Sequence, residues 1–268
     1  MNSETNKARV SPEEMLKIAK TITETAKEMG LTLRIAGGIG VLVVVESEPE
    51  VFSFLLKHRS TGKPDVKFGD IDMVGYSKET KKINEVFIEK LHFTGDKIVN
   101  TLFGDIRRIY YDPTGTFHTD VFLDKLDFNH QIDVRGRLEL EYPNLNYPDL
   151  LLSKLQIHQA NEKDLFDIIA LLSVAGQRSP MWKERVISIL TDDWGFYYDS
   201  INNLEHAVQI ARATLSSSSD EEIVKRAEIE VAKLREDLES APKTKKWYNQ
   251  MKKGTKKQWW KDVEDVFR

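Results

Sequence analysis

Hydrophobic periodicity changes once along this 268-residue chain, near residue 143, and that change restricts the fold more than any other feature. Before it, helical and alternating segments are interleaved. Residues 11–30 open with Ser11, Pro12 and Glu14, a cap, a first-turn proline and a reciprocal acid, carry Ile18, Ile22 and Ala26 on one face, and stop at Gly30. "LTLRIA" (31–36) reads as a short strand running into Gly37-Gly38, residues 49–58 as a helix, and "RSTGKPD" (59–65) as a loop. The valines of 39–46 favour a strand by propensity, but a compact strand-turn-helix unit requires a helix there, and helix is the reading adopted. "DIDMV" is a strand, residues 77–91 a helix with Ile83, Val86, Phe87 and Leu91 at its spacing, and "DIRRIYYD" and "TFHTDVFLD" alternate as strands do. After Tyr147 the pattern is helical, through "YPDLLLSKLQIH", "NEKDLFDIIALL" and long segments over 180–239 broken at "LSSSSDEE". The expected fold is therefore α+β: a mixed sheet with flanking helices over 1–143, then a helical domain over 144–268, with no internal repeat.

Composition narrows the chemistry. With 40% hydrophobic residues the chain can bury a sizeable core. It has no cysteine, which excludes disulfides, thiolate metal sites and cysteine nucleophiles and leaves oxygen and imidazole as ligands, the set that suits hard cations such as magnesium or manganese. "MNSETNKARVSPEEML" lacks the apolar core of a signal peptide and "VLVVV" (41–45) is too short to span a bilayer, so no membrane association and a cytoplasmic location are expected. The formal charge of −4 is unevenly spread: residues 243–268 hold nine basic and three acidic side chains, a balance of +6 against −10 for the remainder.

Two aspartates in "FGDIDMVGYS" (68–77) are the first candidates for chemistry. On a strand Asp70 and Asp72 share a face while Ile71 points away, and like charges held that close are commonly relieved by a divalent cation. The alternative is the polar entry to an ordinary strand. Asp120, beside Val121 and Phe122 on a second strand, would be a third carboxylate, and three acidic groups suit a pair of magnesium ions. Gly37 and Gly38, between a strand and a helix start, allow backbone amides to approach a phosphate; the alternative is a tight turn.

In their order, "RIAGGIG", "FGDIDMV" and "HTDVFLD" resemble the nucleotidyltransferase superfamily that includes DNA polymerase β, and "DLLLSKLQIHQANEKDLFDIIALL" (149–172) looks like its AbiEii-type branch, the toxins of type IV toxin–antitoxin pairs. The resemblance covers about residues 30–175. It implies that Asp70 and Asp72 hold Mg2+ or Mn2+ against the phosphates of a nucleoside triphosphate, that Asp120 shares the second ion and helps activate the attacking hydroxyl, and that Gly37 and Gly38 cradle the triphosphate. Lys154 matches the family's K-L lysine and would neutralise phosphate charge, with Asp164 and Asp167, the K-D-x-x-D carboxylates, orienting Lys154 or the nucleotide. It further implies a nucleoside monophosphate transferred to an acceptor hydroxyl, a tRNA 3′ end as first choice, and a cognate antitoxin. The pattern departs from the family at "DVKFG", where many members carry a hydroxyl residue or arginine, and at Gly40, where Ile39 precedes the small residue.

Other readings compete with parts of this. Without the resemblance, Lys154 beside Leu151, Leu152 and Leu155 reads as a solvated helix residue, and Lys163, Asp164 and Asp167 as a helix N-terminal charge cluster. His118 and His158 read as surface or hydrogen-bonded histidines. "DIDMV" also satisfies the D-x-D-x-[T/V] of haloacid dehalogenase-type phosphatases, but "KPDVKFG" is not the apolar strand that class needs. A noncatalytic nucleic-acid or protein-binding module on the same fold is the alternative of a different class. The tail, "KTKKWYNQMKKGTKKQWWKDVEDVFR", interleaves eight lysines with Trp247, Tyr248, Trp259 and Trp260; it reads as an RNA-contacting segment, as a terminal helix packing Trp259, Trp260, Val263 and Phe267, or as both.

Overall fold

The structure is a computed structural model that describes residues 10–59 and 68–263. Most of the expected 59–65 loop, and Phe267 of the expected terminal face, lie outside the described residues. The architecture is α+β and helix-rich, with a mixed five-stranded sheet and a small two-stranded one. By its internal contacts the chain divides into two compact units, one of residues 1–43, 61–125 and 134–145, the other of 44–60, 126–133 and 146–268. Both units are discontinuous in sequence, whereas a single boundary near residue 143 was expected from periodicity alone.

In the first unit, helix α1 (Pro12–Glu28) starts where Ser11 Oγ accepts a hydrogen bond from the Glu14 amide at 3.1 Å, with Pro12 in its first turn. Its buried stripe is Met15, Ala19, Ile22 and Ala26, with Ile18 half-buried at the margin. Strand β1 (Leu33–Ile35) leads through Ala36 into helix α2 (Gly37–Val45). Valine's strand preference is overridden there because Ile39, Val41, Leu42 and Val45 are all essentially inaccessible, and a helix apolar on every side is stable when surrounded.

Strand β2 (Asp70–Gly75) pairs antiparallel with β1 on one edge and parallel with β5 (His118–Leu123) on the other. A parallel partner cannot be reached by a tight turn, so the chain between them winds through helix α4 (Thr80–Asn84), a π-helical turn (Glu85–Lys90), β3 (Thr94–Gly95), α5 (Lys97–Leu102) and β4 (Arg107–Tyr111). The resulting order is β1-β2-β5-β4-β3, with β2 and β5 central. Residues 134–145 are fastened back to this sheet: the Tyr76 hydroxyl accepts from the Gly136 and Leu138 amides and donates to Glu139, and Leu145 N donates to Ile35 O.

The second unit holds helix α3 (Pro49–His58), the hairpin β6 (Lys125–Asp127) and β7 (Gln131–Asp133), and helices α6 (Tyr147–Leu155), α7 (Glu162–Ser173), α8 (Trp182–Leu190), α9 (Trp194–Ala213), α10 (Ser218–Ser240) and α11 (Lys245–Lys253). Helix α7 is its axis, buried without interruption from Asp164 to Ser173 and packed by α3, α6, α9 and α10. Among the described residues no helix is long and apolar enough to cross a membrane.

The expected terminal helix ends early. Helix α11 stops at Gly254, which adopts φ +51°, and residues 257–263 are irregular. Trp259 and Trp260 nevertheless pack inside the unit: Trp259 Nε1 donates to Asp199 at 3.0 Å, and Trp260 stacks on His158 with ring centroids 3.9 Å apart. Gly195 on α9 admits this segment, since a Cβ there would lie 2.7 Å from the Trp259 carbonyl oxygen.

Asp220, near the start of α10, joins that helix to α3. It is buried and accepts from Lys57 at 2.9 Å and from Ser216 Oγ at 2.8 Å, and it sits 3.1 Å from His58 Nε2. Burial opposes its ionisation, but the bonds from Lys57, Ser216, Ser217 and His58 outweigh that and hold its carboxyl well below the ordinary range. A depressed folded-state value contributes stability that is complete above the unfolded value of about 3.9 and is lost as pH falls below it. The thermal stability of the wild type is therefore expected to fall on acidification below about pH 4. Asp220→Asn should start about 2 kcal/mol less stable at pH 7, the worth of hydrogen bonds to a charged group, and lose less on acidification. Parallel melting curves of the two proteins over that pH range check both statements.

Candidate active site

The sheet centre collects the predicted carboxylates on one face. Asp70 and Asp72 lie two residues apart on β2, with Ile71 fully buried on the opposite side. In the parallel register Asp70 is opposite His118 and Asp72 is opposite Asp120, so all four side chains project from the same surface of adjoining strands. Asp70 and Asp72 are half-buried, whereas Asp120 is 4% exposed.

Arg107, which sequence reasoning missed, comes from β4 and lies on this same face two positions from Ile109, the residue opposite Asp120. Its Nε donates to Asp120 Oδ1 at 3.0 Å and its Nη2 to Oδ2 at 2.8 Å, a bidentate clamp. His118 Nε2 stands 3.7 Å from Asp120 Oδ2, an ion-pair distance rather than a hydrogen bond. Burial alone would push the Asp120 carboxyl up, but His118 and Arg107 outweigh it and hold the group below the ordinary carboxylate range. His118 is raised in turn, chiefly by Asp120 and further by the charges of Asp70 and Asp72, against the opposing effect of its own burial. Arg107 is also raised: desolvation opposes its charge, and Asp120, Asp72 and Asp70 more than compensate. Arg107 and His118 thus both sense all three aspartates. The signal for Arg107 was in principle available, since it alternates with Ile109 on a strand, but no spacing rule says which neighbour an arginine will reach.

Above Asp72 the chain turns from β1 into α2. The Ala36 amide donates to the Asp72 carbonyl at 2.8 Å, and Gly37 has φ +56°. A Cβ on Gly37 would stand 1.8 Å from Asp72 Oδ2, so this position excludes every side chain on two separate grounds, backbone conformation and space. Gly38 follows, buried, in the first turn of a nine-residue helix whose free amides and dipole favour an anion. Gly37→Ala is therefore expected to displace the Asp72 side chain or unwind the turn. We expect a loss of about 2–4 kcal/mol in folding stability, measured by urea denaturation, because strain at positive φ and overpacking add.

Lys154, Asp164 and Asp167 form a separate cluster within the second unit. Lys154, in the last turn of α6, is buried and lies 2.9 Å from Asp164 and 2.8 Å from Asp167. Asp167 also accepts from Arg59 Nε at 2.9 Å and has no exposed surface. Burial would lower the Lys154 ammonium, yet the two aspartates raise it; burial would raise Asp167, yet Arg59 and Lys154 lower it. The solvated-lysine reading is thereby excluded. Lys154 has two carboxylate partners in its own unit, and a phosphate-binding role for it rests on the resemblance alone. Arg59 was not singled out from sequence because it sits at the edge of a loop, where nothing marks its partner. His158, expected to be a surface or hydrogen-bonded residue, is half-buried and lies 3.0 Å from Asp199 through Nδ1.

Among the described residues no group of three histidines, aspartates or glutamates meets the geometry of a metal centre. The donors that Asp70, Asp72 and Asp120 offer are nevertheless all carboxylate oxygens, the chemistry that Mg2+ and Mn2+ prefer, under a glycine turn that a Cβ would fill. Comparison of the chain with protein-family models, with curated proteins and with solved structures finds no match.

Proposed function

We propose that this chain is a metal-dependent nucleotidyltransferase, with the fold of the DNA polymerase β superfamily, that transfers a nucleoside monophosphate from a nucleoside triphosphate to an acceptor hydroxyl. The observation that carries this reading is the parallel pairing of Asp72 with Asp120, with Asp70 on the same face and Gly37 pressed onto Asp72. Three carboxylates beside a side-chain-free turn suit a polyphosphate accompanied by divalent cations better than they suit a neutral substrate.

Asp70 and Asp72 would hold Mg2+ or Mn2+, with Asp120 the third carboxylate. When bound, the metal neutralises phosphate charge and favours in-line displacement at phosphorus. The turn at Gly37-Gly38 receives phosphate oxygens on its backbone amides. Asp120, kept ionised by Arg107 and His118, accepts a hydrogen bond from the acceptor hydroxyl and draws its proton as the oxygen attacks. A bond forms between that oxygen and the α-phosphorus, the bond from the α-phosphorus to the bridging oxygen breaks, and pyrophosphate departs. Arg107 fixes the Asp120 carboxylate and spreads positive charge across the group.

The acceptor proposed by resemblance to AbiEii-type toxins is a tRNA 3′ end, and a cognate antitoxin is the corresponding protein partner. Incubation with total RNA, magnesium and each radiolabelled triphosphate in turn tests the reading: label should pass to RNA with one or more of the four and should require the metal. A noncatalytic module is favoured by one observation, that Arg107 engages both oxygens of Asp120. Absence of magnesium-dependent triphosphate binding in calorimetry would select that module.

A further inference from the structure

The tail lysines divide into two sets. Lys243 donates to the Leu238 and Glu239 carbonyls at the end of α10, Lys246 pairs with Asp192 at 3.0 Å and Asp193 at 3.3 Å, and Lys261 pairs with Asp127 at 2.8 Å. These three hold the tail to its unit. Lys245, Lys252, Lys253, Lys256 and Lys257 are exposed, and none makes an ion pair among the described residues.

Helix α11 shows why they face outward. Its inner side is Trp247, which is buried and meets Tyr197 edge-on at 5.5 Å, and Gln250, which accepts from the Trp194 amide at 2.8 Å and donates to Asp193 at 3.2 Å. Residues 247 and 250 lie on one side of the helix, which puts Lys245, Tyr248 and Lys252 in a row on another. Tyr248 is 47% exposed. The first turn holds two lysines and no acid, against the preference of the helix dipole, and five lysines with no ion pair among the described residues stand within thirteen positions. Packing explains Trp247 and Gln250, and Thr244 Oγ1 caps the helix by accepting from the Trp247 amide at 3.1 Å, but neither explains the five outward lysines.

We infer that the outer side of α11 and the turn that follows it, Lys245, Tyr248, Lys252, Lys253, Lys256 and Lys257, form a docking surface for unpaired RNA. The lysines neutralise successive phosphates and the Tyr248 ring stacks on a base. This rests on the proposed transfer to an RNA hydroxyl and names where such an acceptor is held. A membrane is the weaker match because the exposed side offers only Tyr248 and Met251 for insertion, too little apolar area for an interfacial helix.

The test measures fluorescence anisotropy of a 5′-fluorescein-labelled unpaired RNA of about 20 nucleotides, longer than the usual single-strand site, across a salt series with the full chain and no triphosphate. Five phosphate contacts give a slope of log affinity against log salt of about −3.5. Replacing all five lysines with glutamine should cut affinity more than about tenfold and bring the slope close to zero, whereas five arginines should preserve both. Tyr248→Ala should weaken binding about tenfold and leave the slope unchanged. Asp72→Asn should bind RNA as the wild type does. These positions are exposed, and unchanged circular dichroism melts of the variants establish that folding is intact. Wild-type affinity in the glutamine variant, or tighter wild-type binding to phosphatidylserine vesicles or polyglutamate than to RNA, overturns the inference. Lysine-dependent RNA binding without nucleotide transfer overturns the proposed activity and leaves the surface standing; transfer to RNA that survives the glutamine substitutions does the reverse.

Discussion

Asp72→Asn is expected to reduce metal-dependent transfer of labelled nucleotide to RNA by about a thousandfold or more, a loss of roughly 4 kcal/mol in transition-state stabilisation. The size follows from where the residue stands. Asp72 is opposite Asp120 across the central parallel pair, on the same face as Asp70, with Gly37 against its carboxylate. An amide in its place removes one negative charge from a group of three and offers a donor where a cation requires oxygen lone pairs. Asp70→Asn should fall in the same range. Both variants retain the shape of the side chain, so their melting temperatures should stay near that of the wild type. Full activity in either would remove the basis for reading the sheet face as a catalytic centre. Arg107→Lys provides a graded comparison: a point cation keeps the charge but loses the bidentate clamp, and turnover should fall more than triphosphate affinity.

Asp167→Ala is expected to cost about 3–5 kcal/mol in folding stability, with the urea midpoint falling and the slope of the transition unchanged. Asp167 is the wholly buried anion between Arg59 at 2.9 Å and Lys154 at 2.8 Å. Removing it takes away the carboxylate 2.9 Å from Arg59 and 2.8 Å from Lys154, two buried cations, and leaves Asp164 beside Lys154. Lys154→Met should cost less, because Asp167 keeps Arg59 and Asp164 keeps some contact with solvent. If both substitutions were neutral, this cluster would not be the electrostatic core of the helical unit, and Lys154 would be available for another role.

The parts of the fold legible from residues were those with local causes. Ser11 and Pro12 start α1 by capping and ring geometry, and the alternation of "HTDVFLD" makes β5 a strand. Helix α2 needed one further consideration, the geometry of a strand-turn-helix unit, because propensity alone pointed the other way. The end of α11 at Gly254 was missed because Trp259 and Trp260 fit an apolar helical face, whereas in the structure they pack from an irregular segment, Trp259 against Gly195 and hydrogen-bonded to Asp199.

The sequence by itself determined which groups the chain can use for chemistry: carboxylates, imidazoles and a glycine pair, no thiol, and two aspartates forced onto one face by the two-residue period of a strand. Tertiary structure alone decided which of them meet. The pairing of Asp72 with Asp120 joins residues 48 apart through a parallel register, and the grip of Arg107 on Asp120 and of Arg59 on Asp167 depends on how neighbouring strands and helices pack. A charge's partner is set by distance in space, and sequence periodicity carries information only about the element on which a residue sits.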